Sequence, residues 1–273
     1  MIANPKRIQN TPRANRIRRI LGLAALAASV ALARGADSET ARLGLGNGES
    51  LTYSVRWGFL PSVGRIRISA EEIGTGRDAV LRITTTTSTW GLARGLFPFD
   101  GRGESVYEAK TGLLLSTSEW STYRNKVVKN SILFNYGKME AVYTDDIHPE
   151  KSRTIPMPSG NPSDLILALI STRTWKLAPG QARDALVIFE DQFYPLTVRS
   201  DETDIVMSPL GLFSTNVLVP RMEKSPPKGM FKRGSTVKVW IETNDARRLP
   251  VRFEVGFRFG TGTATLIEYQ APK

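Results

Sequence analysis

The dominant pattern along the chain is a two-residue alternation of apolar and polar positions. Val237-Lys238-Val239-Trp240-Ile241-Glu242 alternates up to the polar turn Thr243-Asn244-Asp245-Ala246-Arg247-Arg248. Leu249 to Phe259 alternates again, with Val251, Phe253, Val255, Phe257 and Phe259 on one side and Arg252, Glu254 and Arg258 on the other. Gly260-Thr261-Gly262 then turns the chain into Thr263 to Tyr269. A period of two puts one set of side chains on a buried face, so these segments predict a three-stranded antiparallel meander.

The same rhythm opens the chain at Leu51–Trp57, Arg65–Ile73 and Ala79–Trp90, where the run Thr84-Thr85-Thr86-Thr87 favours sheet over helix. It resumes at Glu104–Glu108, Leu113–Tyr123, Val127–Tyr136 and Met139–Tyr143. Weaker strand signals at Ala185–Phe189, Tyr194–Arg199, Thr203–Met207 and Leu212–Pro220 are broken by Pro195 and Pro209. Only Leu165, Ile166, Leu169 and Ile170, running on to Trp175, have helical spacing; Asn161 or Ser163 would cap that helix, with Pro162 and Asp164 in its first turn. The fold class is therefore mainly β: a curved antiparallel sheet or open β-barrel of about ten to twelve strands with one packed α-helix.

Charge and composition alter this picture mainly at the N-terminus. Lys6, Arg7, Arg13, Arg16, Arg18 and Arg19 precede an apolar run from Ile20 to Ala33 that ends Ala31-Leu32-Ala33, the layout of a secretory signal peptide over residues 1–33. Residues 34–49 read as a flexible lead-in and 50–273 as a single β-rich domain. Those six cations leave with the signal, so the formal charge of +11 overstates the basicity of the exported chain, and nucleic acid is a poor partner. With 0 cysteines there is neither a disulfide nor a lipidation site, so burial alone must hold the fold. The expected location is the periplasm or another exported compartment, with no transmembrane segment in the mature chain.

Available chemistry is limited. The single histidine, His148, sits in a polar loop beside Pro149, and catalytic Cys/His pairs and zinc sites of the usual ligand set are excluded. Gly44-Leu45-Gly46-Asn47-Gly48 precedes a strand rather than a helix, so it is not a dinucleotide fingerprint. The neighbouring carboxylates Glu71-Glu72, Asp145-Asp146 and Glu190-Asp191 would point to opposite faces of a strand, leaving a hydrolase only if separate strands bring two acids together. No cofactor, metal or catalytic residue is assigned.

Two stretches have binding character. Trp90 to Phe99 is a glycine-rich connection carrying Trp90, Leu96, Phe97 and Phe99, either the mouth of an apolar ligand site or a plug belonging to the core. Arg221 to Gly234 carries Lys228, Phe231, Lys232 and Arg233, either a docking loop for an anionic surface or envelope protein or a solvated connection.

Four places resemble a bacterial exported family catalogued as domain of unknown function 3108. They are Gly48 to Val55 with Trp57-Gly58, Asp164 to Leu169 with Arg173, Pro179-Gly180, and Trp240-Ile241 with Asp245 to Val251. The resemblance implies no settled activity and no catalytic residues. The strand, acidic turn, Leu-Pro, strand pattern is also similar to Lol-type periplasmic lipoprotein carriers, which implies an open β half-barrel that shelters acyl chains. The expectation is an exported, non-catalytic scaffold binding an apolar or amphipathic lipid-like ligand, or alternatively an assembly factor docking through its basic loop.

Overall fold

The computed structural model describes residues 43–258 and 260–273; the expected signal peptide over 1–33, the expected lead-in up to residue 42 and Phe259 lie outside the described residues. One sheet of fifteen strands accounts for nearly the whole domain. Its first eight strands are β1 Ser50–Trp57, β2 Leu60–Ile73, β3 Val80–Thr89, β4 Phe99–Glu108, β5 Leu114–Tyr123, β6 Lys126–Asn135, β7 Glu140–Asp145 and β8 Arg153–Pro156. The rest are β9 Ser163–Asp164, β10 Ala182–Phe189, β11 Gln192–Ser208, β12 Gly211–Arg221, β13 Thr236–Glu242, β14 Pro250–Phe257 and β15 Gly260–Gln270. Two short α-helices lie wholly within the described residues, α1 Gly91–Leu96 and α2 Leu165–Ser171.

Fifteen strands exceed the expected ten to twelve for identifiable reasons. β8 lies inside a stretch whose prolines suggest only a loop, and β9 has two residues paired in parallel with β10, a pairing no local pattern reveals. By contrast, the two separate strands expected at Tyr194–Arg199 and Thr203–Met207 are one strand, β11, in which Pro195 falls in Gln192–Leu196, which pairs with β10 only, so β12 loses no ladder bond there. A bulge between Ser200 and Glu202 then carries the strand on to Ser208.

Strand order is β8 to β1 in reverse, then β15 down to β9, so the first and last strands pair at the centre and the sheet coils from both sides. Backbone pairing stops at β8 and β9, so the sheet is an open barrel whose edges meet through side chains. Arg153 of β8 ion-pairs Asp191 in the β10–β11 turn, and Phe134 meets Phe193 edge to face at 6.3 Å.

Inward positions are those the alternation marks: Leu51 and Tyr53, Ile66 and Ile68, Leu81 and Ile83, Ile132 and Phe134, Val251 and Phe253. The one expected helix is shorter than predicted and begins later. Asp164, not Asn161 or Ser163, caps α2, its carboxylate accepting from the Leu167 amide at 2.9 Å, and Thr172–Thr174 continue as a 3-10 turn. Buried on nearly every side, α2 lies inside the sheet rather than across it, with Leu167 and Ile170 in one core cluster and Leu165, Ala168 and Leu169 in another. Residues 43–49, expected to be mobile, are packed: Leu43 and Leu45 are core residues and Glu49 is 3 % exposed.

Candidate functional site: a hollow end and a locked end

Antiparallel strands put alternate turns at the same end of the barrel. One end, the base, carries the packed segment 43–49, the C-terminus and the β13–β14 turn. There Arg173, 8 % exposed, donates through Nη1 to Glu49 Oε1 at 2.7 Å and to the Gly44 carbonyl at 2.9 Å. Its Nε donates to the Arg247 carbonyl at 2.8 Å, and Arg248 Nε returns a bond to the Arg173 carbonyl at 2.7 Å. Asp245 is occupied by a bidentate bond to Arg247, which holds its carboxyl down at about 2. Tyr53 donates to the Pro250 carbonyl at 2.8 Å, and burial raises its pKa well above the ordinary tyrosine value. The charged β13–β14 turn is thus a structural lock.

The other end is hollow. A chamber of about 310 Å³ is lined by Ile83, Thr85 and Thr87 of β3, Gly101, Gly103 and Ser105 of β4, Glu119 and Ser121 of β5, Asn130 and Ile132 of β6, and Ile166 of α2. A second, about 210 Å³, is lined by Tyr53, Val55, Ile66, Ile68, Phe253, Val255 and Ala264, with no polar group but the edge of Tyr53. Ile166 and Met230 line both, so a stiff β-branched side chain and a flexible unbranched one stand between them. One chamber is apolar and the other apolar with a polar end, and both occupy the half of the barrel away from the lock.

Three of the four carboxylates lining the larger chamber are engaged. Glu104 pairs with Arg82 at 3.2 Å, Asp164 caps α2 and accepts from Tyr107 Oη at 2.7 Å, and Glu190 binds Lys228 at 2.6 Å. Glu119 is the chamber's one carboxylate without such a bond among the described residues. No group of acidic or histidine side chains among the described residues is placed to hold a metal ion. His148 is exposed, 3.6 Å from Glu150, and lines neither chamber.

The structure separates the four aromatic-loop candidates. Phe99 lines the larger chamber, whereas Trp90, Leu96 and Phe97 stand on the rim around α1, 36 %, 63 % and 54 % exposed. Trp90 is fixed there: its indole donates to the Ser62 carbonyl and Arg65 lies over its ring at 4.7 Å. Arg94 clamps Asp100 with two bonds of 2.7 and 2.6 Å, tying α1 to β4 and lowering the Asp100 pKa. The basic loop is divided likewise. Phe231 packs with Met230 against the core beside Phe189, and Lys228 is paired, its pKa raised by the bond to Glu190. Lys232 and Arg233 remain exposed, with no carboxylate at ion-pair distance among the described residues.

Ile166 and Glu119 were not legible as site residues, and Met230 was legible only as an apolar contact of the basic loop, not as a chamber wall. A helical apolar residue and a loop methionine become chamber walls only once β3–β6 curl around them.

Fold and site together define an open, barrel-like β protein with a two-chambered interior. The chain belongs to the family described as protein of unknown function (DUF3108), which matches residues 52–267. It is similar to the crystal structure of a beta-barrel-like protein of domain of unknown function DUF1849 from Brucella abortus, with 9 % identity, TM-score 0.51, and coverage of 84 % of this chain and 99 % of that one. A protein described as exported, with a YmcC-like fold, from Bacteroides fragilis NCTC 9343 aligns at 10 % identity and TM-score 0.29 over 83 % of this chain and 97 % of that one. No curated protein matches the chain.

Proposed function

We propose that this chain is an exported, non-catalytic scaffold that holds an apolar or amphipathic, lipid-like molecule in its hollow half. The observation carrying this is the pair of adjoining chambers, one wholly apolar and one with Glu119, Ser121 and Asn130 at its polar end, divided only by Ile166 and Met230. An acyl chain suits the apolar chamber, and a polar headgroup suits the other. Rotation of the unbranched Met230 joins the two. The engaged state of the surrounding carboxylates argues against the hydrolase alternative, which needs two acids free to act on a bond.

The test is native mass spectrometry and lipid extraction of protein purified from its own envelope, followed by titration with a fluorescent fatty acid. A Cβ at Gly103 points into open space, with the Ser118 carbonyl 4.0 Å away. Gly103→Val therefore fills the larger chamber while suiting the strand, and Ala264→Leu fills the apolar one. Both variants are expected to fold and to bind the probe at least tenfold more weakly. Wild-type protein that carries no lipid and ignores the probe would sink the proposal.

A further inference from the structure

The hollow end is ringed by turns that project apolar side chains between cations. Three neighbouring hairpins, β1–β2, β3–β4 and β5–β6, place their turns side by side there. Phe59 in the first is 91 % exposed and Leu92 on α1 in the second is 93 % exposed, the two most exposed large apolar side chains among the described residues. Leu96 and Phe97 accompany Leu92, and Val127 and Val128 stand at 44 % and 43 % in the third hairpin. Residues 58–63, 90–98 and 123–128 contain no acidic residue, and of their three cations Arg94 is held by Asp100, which leaves Arg124 and Lys126. Across the mouth, Lys232 and Arg233 add two exposed cations.

We propose that this rim docks the mouth of the barrel onto an anionic lipid bilayer, with Phe59, Leu92, Leu96 and Phe97 entering the headgroup–acyl boundary. Two features select a bilayer over a folded partner. The apolar groups sit on separate tips roughly 10 Å apart, the spacing of alternate hairpins, and so do not form the continuous flat patch a protein interface needs. Cations flank them where phosphates would lie, and cations beside inserted apolar side chains are the composition that holds interfacial segments on anionic lipid. The docking needs no cargo, although it would set the chamber mouth against a source of lipid.

The chain has 0 cysteines, so a single introduced one carries a unique environment-sensitive dye. Leu92→Cys and Phe59→Cys report from the rim, and Leu212→Cys, 66 % exposed at the β11–β12 hairpin of the opposite end, serves as reference. With vesicles of phosphatidylethanolamine and phosphatidylglycerol, the rim dyes are expected to shift to shorter wavelength and the reference dye to stay unchanged, whatever residues 1–42 do. Lys232→Glu with Arg233→Glu should weaken partitioning about tenfold in these vesicles, and high salt should do the same. Gly103→Val should leave the rim shift intact, which separates docking from cargo binding. Unshifted rim dyes, or equal shifts at Leu92 and Leu212 positions, overturn the proposal.

Discussion

Removing the guanidinium of Arg173 tests whether the base of the barrel is the lock described. Arg173 and Glu49 are 8 % and 3 % exposed, and the Gly44 and Arg247 carbonyls depend on the same guanidinium. Arg173→Met keeps the stem and volume but leaves the Glu49 carboxylate buried without its cation. Breaking one side of a buried pair costs about 3–5 kcal/mol, because the stranded charge stays desolvated. The two carbonyls add roughly 1 kcal/mol each where water does not reach them. For a domain of this size, 1 kcal/mol corresponds to about 2–4 °C, so Tm should fall by roughly 10 °C or more. Urea unfolding followed by circular dichroism, with unchanged slope, measures the loss. Adding Glu49→Gln removes the stranded charge, so the double variant should regain about half of the deficit. A loss below about 1 kcal/mol, or a double variant no more stable than the single one, would refute the lock.

Other expectations concern titrating groups and caps. Tyr53, Tyr107 and Tyr136 all have raised pKa values, foremost through burial, Tyr136 to about 12. Their neutral forms are favoured in the folded state, so the stability they contribute is complete below about pH 10 and is lost as pH rises toward the folded values. Tyrosinate absorbance should therefore show a late fraction appearing together with unfolding; smooth titration of all 7 tyrosines near the ordinary value would count against it. Glu242, 7 % exposed with Oε2 lacking a hydrogen-bond partner, has its pKa raised by burial and then by Asp245. Its ionised form is unfavourable when folded, so Glu242→Gln should stabilise the protein at pH 7 and lose that advantage as pH falls toward 4.5; equal effects at both pH values would exclude this origin. Asp164→Ala removes both the α2 cap and the Tyr107 partner, and should cost about 1–3 kcal/mol in chemical denaturation; Asp164→Asn, which still caps, should cost less.

The strands were legible where one face is apolar and the other polar for six residues or more, as in Arg65–Ile73 and Leu249–Phe257, because burial on a curved sheet imposes that period. Elements that depend on a distant partner were not. β9 exists only because β10 lies beside it, and α1 forms from a Gly-rich stretch whose ends are held by the Arg94–Asp100 clamp and the Trp90 indole. The lock was half visible. Glu49, Arg173 and Arg247 all stood in the stretches that carry the family likeness, yet Glu49 and Arg173 lie 124 residues apart and no local pattern joins them. In the basic loop, sequence presents Phe231 as a surface group, whereas Met230 and Phe231 are drawn into the core behind Gly229, whose positive φ of 56° turns the chain against the Phe189 ring.

The hollow itself follows from side-chain size along strands that are otherwise alike. Toward the base, the inward positions of β3 to β6 are Leu81, Tyr107, Leu114 and Phe134, all nearly fully buried. Toward the mouth the same strands turn in Thr85, Thr87, Gly101, Gly103 and Ser121. Strand number sets how wide the barrel is, and side chains decide whether the width is filled. Interiors normally reach the packing density of crystals, and unfilled volume costs stability through lost contacts. A sheet that packs one half with Tyr and Phe had the means to pack the other. Gly103, where an added Cβ meets nothing closer than the Ser118 carbonyl at 4.0 Å, also weakens a strand that a larger residue would strengthen. Two costs at that one position, each avoidable by an ordinary substitution, are what a chamber kept open for an occupant would show.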